Sequence, residues 1–362
     1  MSRSIVLFST IFLFLFGFIF YCYGFLDANN LRYFEEWIPV DSIQYVERSE
    51  NLILDDLTIG EIASGALNWL SLSFIYKKLN DLNGFAALDF VFINSLCFYI
   101  MVRFGAFSGI SNDQFINNYH SYTLLMLISS PYLLPWILVP NKELIMGAGI
   151  VVAMHLIERS QKLALVILAV IFGLIKIQFF LATVLFFISR NLPWRKSTVL
   201  LIFSLLYPWI YEVVPGLHMS HFLEVNINEI RSANIFLAID TLSSYPLGYI
   251  PIFYARLFFN LLGGLYPARI LDGGFSMGTL APLSSFILGL LVVMSIYKMI
   301  KNQSIPSLFN STSDKFYFIF CVLLINLTLP FMQPRYYWWM TPILLSYLLF
   351  SSNKRYLHSS PS

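Results

Sequence analysis

Four short polar groups interrupt an otherwise apolar chain, and each carries residue types that do chemistry. The first is Pro39-Val40-Asp41-Ser42-Ile43-Gln44-Tyr45, the second Pro140-Asn141-Lys142-Glu143. Third comes Lys176 with Gln178, and fourth Gln333-Pro334-Arg335-Tyr336-Tyr337-Trp338-Trp339. Asp41 and Glu143 are carboxylates that can take a proton from a hydroxyl. Lys142, Lys176 and Arg335 are cations suited to phosphate, Arg335 through its planar fork. Gln178 adds an amide, while Tyr336 and its aromatic neighbours offer faces on which sugar rings stack.

Each group also has a plain structural reading. Asp41 fits a solvated loop acid. Pro140 and Asn141 suit a helix start, Glu143 the positive end of its dipole, and Lys142 a snorkelling side chain. The aromatic run after Arg335 fits an interfacial belt. Lys176 is harder to explain away, because a lone ammonium among apolar residues is costly.

A further group, His218, His221, Arg231, Arg256, Arg269 and Asp272, falls within residues 212–279. The three arginines extend the set of anion-binding candidates. The histidine pair has helical spacing for a metal but no third ligand spaced with it, so no metal is expected. No Gly-rich phosphate loop, nucleophile elbow or zincin motif appears, and no cofactor is implied.

The elements that must position these residues are membrane helices. The chain has 362 residues, 58% of them hydrophobic and only 12% charged, with mean hydropathy +0.71. No soluble core of this length needs so much apolar surface, so the expected class is an all-α polytopic integral membrane protein. Apolar runs lie at 5–25, 84–102, 121–139, 144–157, 163–175, 177–189, 197–211, 280–297, 316–330 and 337–350. They predict about ten transmembrane helices with both termini cytoplasmic. No cleavage site follows the first run, which reads as a retained span.

Charge sets the orientation. Residues 26–61 hold nine acids and only the bases Arg32 and Arg48, so this segment faces away from the cytoplasm. The connections then left inside carry twelve bases against Asp113, Glu158 and Asp314. Reading residues 163–189 as one helix would put Arg190, Arg195 and Lys196 on the wrong side. Two short helices meeting at Lys176 fit instead, leaving that lysine in a recess below the outer surface. The segments 247–265 and 62–76 read as surface-lying or re-entrant.

The expected organisation is one membrane domain over 1–362, with larger outward loops at 26–83 and 212–279. Asn94 is expected to hydrogen-bond between helices, and Asp89 to line a cavity. Cys22, Cys97 and Cys321 read as small buried hydrophobes. No basic stripe suggests nucleic acid as a partner.

Asp41 with Tyr45, the Pro-Asn-Lys-Glu at the start of a span, the helix pair broken at Lys176, and Arg335-Tyr336 before Pro342 together resemble a known group. It comprises the bacterial membrane glycosyltransferases and polymerases that use lipid-linked sugars, of GT-C and O-antigen (Wzy) type. The resemblance implies a multi-pass protein of the bacterial inner membrane. It would move glycan from an undecaprenyl-pyrophosphate-linked oligosaccharide to a growing O-antigen, capsule or exopolysaccharide at the periplasmic face. Asp41, or secondly Glu143, would activate the acceptor hydroxyl. Lys142, Lys176, Gln178, Arg231, Arg256, Arg269, Arg335 and Tyr336 would bind pyrophosphate and glycan. Polysaccharide export or chain-length proteins would be further partners. The other readings are a flippase or transporter of lipid-linked oligosaccharide and a non-catalytic envelope assembly subunit. A transporter should show repeated halves and midplane charges, and no internal repeat is visible.

Overall fold

The computed structural model describes residues 2–31, 40–50, 52, 70–105, 133–190 and 314–326, with isolated positions between 202 and 297. The described residues are helical, with no strand among them. Their helices are α1 (Ser2–Cys22), α2 (Ala28–Leu31), α3 (Val40–Glu50), α4 (Leu70–Asn83) and α5 (Ala86–Gly105). The chain continues with α6 (Leu133–Leu138), α7 (Lys142–Glu158), α8 (Lys162–Ile175), α9 (Ile177–Arg190) and α10 (Asp314–Asn326).

Among the described residues one helix stretch, Ala86–Phe104, is long and apolar enough to cross a membrane. Val6–Cys22, Lys162–Ile175, Ile177–Arg190 and Tyr317–Asn326 form shorter apolar helices. The expected acidic loop at 26–83 is itself partly helical. It contributes α2, α3 and α4, of which α4 packs on both α3 and α5.

Helix contacts run α1 to α5, α5 to α7, α7 to α8 and α10, and α9 to both α8 and α10. Small residues let these helices approach closely, as expected where dispersion contacts must hold helices together. A Cβ at Gly17 would strike Val91 of α5, and one at Gly149 would strike the ring of Phe172 across the α7–α8 turn. That turn closes with Ser160 in the left-handed region at φ 55 and with Gln161 N donating to the Leu156 carbonyl at 2.9 Å.

One buried amide holds the core in register. Asn94 of α5 is fully buried, and its Nδ2 donates towards the carbonyls of Trp136, Ile137 and Val139 at 3.0, 3.3 and 2.7 Å. These carbonyls lie at the end of α6, where helix geometry leaves acceptors without partners. The expected inter-helix role of Asn94 is therefore observed.

Asp89 sits near the start of α5. The helix begins at Ala86, so Asp89 falls in its first turn, where the dipole favours a carboxylate, and it accepts from Asn83 Nδ2 at 2.8 Å. This contact steadies the start of α5. Among the cysteines, Cys97 and Cys321 are buried as expected, whereas Cys22, the last residue of α1, is exposed.

Candidate functional site

The break predicted at Lys176 is present and is one residue long. Lys176 adopts an extended conformation (φ −152, ψ 105) that ends α8, and Ile177 begins α9. Its N–H donates to Phe172 at 2.8 Å, and its carbonyl accepts from Phe179 N at 3.0 Å. The chain folds back sharply here. A Cβ on Gly173 would sit 2.8 Å from Cβ of Phe180, and the rings of Phe172 and Phe179 lie 5.5 Å apart. Only glycine at 173 admits that approach without displacing Phe180.

On the other flank α9 packs antiparallel against α10. Arg190 and Asp314 form an ion pair at 2.7 Å, and Phe186 meets Phe318 edge to face with centroids 5.6 Å apart. The same register carries Gln178, at the start of α9, to the level of Asn326 at the end of α10.

The third wall is α7. Asn141 is fully buried at its N-cap, with Oδ1 accepting from Leu144 N at 2.9 Å, which orients the first turn. Glu143, Met146 and Ile150, spaced three and four apart, share one face. A narrow cleft of about 10 Å3, room for a single water, lies between these three elements. Its lining is Glu143, Met146 and Ile150 from α7, Lys176, Gln178 and Phe179 from the break, and Val322 and Asn326 from α10.

Glu143, Lys176 and Gln178 are thus brought together from two separate sequence groups. Lys142 is not part of the lining. One residue along a helix turns the side chain by about 100°, and Lys142 is buried (7% exposed) with Nζ 5.0 Å from the centre of the Tyr45 ring on α3. That cation–π contact ties the Asp41–Tyr45 segment to the entrance of α7. Asp41 itself lies in the first turn of α3 rather than in a loop. Arg231, Arg256, Arg269, Arg335 and Tyr336 lie outside the described residues.

Sequence reasoning missed Asn326. Its signal was a lone amide near the end of the apolar run 316–330, and only the pairing of α9 with α10 gives that amide a neighbour. One further feature marks the cleft. Gln178 Oε1 is buried and accepts no hydrogen bond, a condition that costs about 1–3 kcal/mol.

Beside α3, the Tyr76 phenol of α4 stacks on Phe90 with centroids 5.7 Å apart. Burial, then the carboxylates of Glu50 and Asp27 and the nearby Tyr21, pushes it from 10.0 up to about 12. It stays protonated at any neutral pH and serves as structure.

No protein-family model, no curated protein and no solved structure matches this chain.

Proposed function

We propose that the chain is a multi-pass bacterial inner-membrane enzyme. It transfers glycan from an undecaprenyl-pyrophosphate-type lipid donor to a growing surface polysaccharide at the periplasmic face. The acceptor hydroxyl gives its proton to a carboxylate, its oxygen bonds to the anomeric carbon, and the bond from that carbon to pyrophosphate breaks. Glu143 is the carboxylate that the cleft offers; Asp41 is the other candidate. The lipid pyrophosphate departs with several negative charges, which cations at the same face would stabilise, Arg335 and the arginines of 212–279 among them.

The observation that carries this reading is the meeting of Glu143, Lys176 and Gln178 in one cleft. Their helices run from that cleft to a far end where Glu158, Arg159, Lys162, Arg190 and Asp314 lie, and bases outnumber acids across the connections assigned to that side. Apolar faces support the membrane setting. On α1, Leu7, Phe8, Ile11, Phe12, Leu15 and Ile19 are exposed, and on α8, Leu163, Val166, Ile167, Val170, Ile171 and Leu174 are exposed. Two such continuous stripes suit lipid far better than water. The ten-span topology belongs to the same proposal, with α7 entering the bilayer at the cleft end and α8 and α9 as a short pair of about 21 Å each.

The test is a deletion strain complemented with Lys176→Ala, Glu143→Gln or Arg335→Ala. Each variant should insert at normal levels and yield surface polysaccharide lacking long chains on gels. Normal chain lengths in all three would remove the enzyme reading. Reporter fusions at residues 50, 230 and 270 should all report from the periplasm, and a cytoplasmic signal at 270 would break the ten-span topology.

A further inference from the structure

α8 is too short to cross a membrane by itself. Its 14 residues, Lys162–Ile175, reach about 21 Å, against a hydrocarbon core of about 30 Å. Yet one whole face of it is apolar and exposed, from Leu163 to Leu174. The element that meets its end is α4. Ser71, the second residue of α4, donates from Oγ to the carbonyl of Ile175, the last residue of α8, at 3.5 Å. The start of one helix therefore meets the end of another 104 positions away in the chain.

The heights of the neighbouring helices show that the two lengths add. Tyr76 of α4 stacks on Phe90 of α5, and Phe104 of α5 lies against His155 of α7 with centroids 5.0 Å apart. Gly149 faces Phe172 where α7 and α8 run antiparallel, which sets Val166 level with His155. From Phe104 up to Phe90 is fourteen residues along α5. From Val166 to Ile175 and on from Ser71 to Tyr76 is fourteen as well. Were α4 to lie across the end of α8, its residues would add no height and the two routes would disagree.

The residues of α4 change character at the matching point. Leu70–Ile75 carry no charge, and Leu72 and Ser73 are fully buried while Phe74 is exposed. Tyr76, Lys77 and Lys78 follow, then Asn80, Asp81 and Asn83. Tyr and Lys are residues of the membrane–water boundary. Six residues of α4 extend α8 by about 9 Å, so Lys162 to Tyr76 comes to about 30 Å, the thickness that α8 alone cannot fill.

We propose that α8 and the first turns of α4 form one discontinuous membrane crossing, with lipid hydrocarbon covering its exposed face from Leu163 through Leu174 to Phe74. The proposal rests on the membrane setting of the preceding subsection. It adds that Leu70–Ile75 are inserted in the bilayer and are not part of an aqueous loop. The break at Lys176 then lies about 9 Å below the outer boundary. Where two helices meet at such a depth, their end carbonyls and first N–H groups need partners within the protein, and Ser71 supplies one.

Single cysteines test this in the full chain reconstituted in phosphatidylcholine vesicles, on a Cys22→Ser background, since Cys97 and Cys321 are buried. The positions are Ile167 and Leu174 on α8, Phe74 on the inserted turns and Leu82 near the end of α4, all exposed. Spin labels at 167, 174 and 74 should collide with oxygen, which concentrates in hydrocarbon. A water-soluble nickel chelate should reach only the label at 82. An impermeant maleimide should modify Phe74→Cys at least about tenfold more slowly than Leu82→Cys, because an apolar setting suppresses the reacting thiolate. Should Phe74→Cys fail to insert, the pair Ser71→Cys and Ile175→Cys carries the test. A short bifunctional thiol reagent should join them at a depth where the label at 174 reports lipid, and absence of that cross-link overturns the inference. Nickel reaching the label at 74 while 167 and 174 report lipid overturns it too, returning α4 to an aqueous loop. A label at 74 that meets neither reagent overturns it as well, since protein would then cover that face. Failure of the membrane reading itself looks different: nickel would reach 167 and 174 also.

Discussion

Arg190 and Asp314 close an ion pair at 2.7 Å between the end of α9 and the start of α10. Twelve residues away along each helix, the same antiparallel register brings Gln178 level with Asn326 at the cleft. The cation at a helix C-terminus and the anion at an N-terminus each also suit the local dipole. One contact between two half-exposed side chains therefore marks the alignment on which the far wall of the cleft depends.

Reversing one charge should show this. Arg190→Asp should lower stability by about 1–2 kcal/mol, from loss of a partly exposed pair and of the dipole term together. Arg190→Asp with Asp314→Arg should restore only the pair and leave the dipole term unfavourable. Thermal unfolding in detergent of the two singles and the double measures the coupling. A double variant no better than the worse single would show that the pair is not coupled.

Gly149 and Gly173 should resist substitution for different reasons. Gly149→Ala drives a methyl into the Phe172 ring, and Gly173→Ala drives one into Cβ of Phe180, which cannot swing aside. Each should cost about 1–3 kcal/mol by overpacking. Only Gly173→Ala should also move Lys176, three residues on. The check is the melting temperature of both, with the reactivity of Lys176 to an amine-modifying reagent as the second readout, altered in Gly173→Ala alone.

Asn94→Leu keeps the volume but leaves the carbonyls at the end of α6 without their donor. Losing those buried hydrogen bonds should destabilise the chain by about 1–3 kcal/mol. Denaturant melts of the parent and variant decide it, and an equal midpoint would mean that water or backbone replaces the amide.

Tyr76 gives a prediction in pH. Its phenol releases a proton at 10.0 when unfolded and at about 12 when folded. The folded state thus holds the proton more tightly, so the stabilisation is complete below pH 10 and is lost as pH rises towards 12. Melting temperature should fall across that window, and Tyr76→Phe should flatten the fall. An unchanged slope in Tyr76→Phe would place the alkaline transition elsewhere.

Much of the arrangement was legible in the residues alone. Apolar runs located α5, α7, α8, α9 and α10 to within a few residues, because a helix in an apolar setting needs continuous hydrophobic length and little else. Charge asymmetry identified Lys176 as a break, since a continuous helix would strand Arg190 with Arg195 and Lys196. Pro140 and Asn141 marked the start of α7 by ordinary capping chemistry.

What the order of residues could not decide was which polar groups meet. Adjacency on a helix sends Lys142 towards Tyr45 and Glu143 into the cleft, a separation set by helix rotation against the neighbouring helices. Asn326 lies almost 150 residues beyond Gln178, and nothing local relates them; only the antiparallel contact of α9 with α10 does. Sequence determined the helices, their ends and the residue at the break, because those follow from local hydrophobic length, capping and charge. Tertiary structure decided the composition of the cleft, because that depends on the register and rotation of helices distant in the chain.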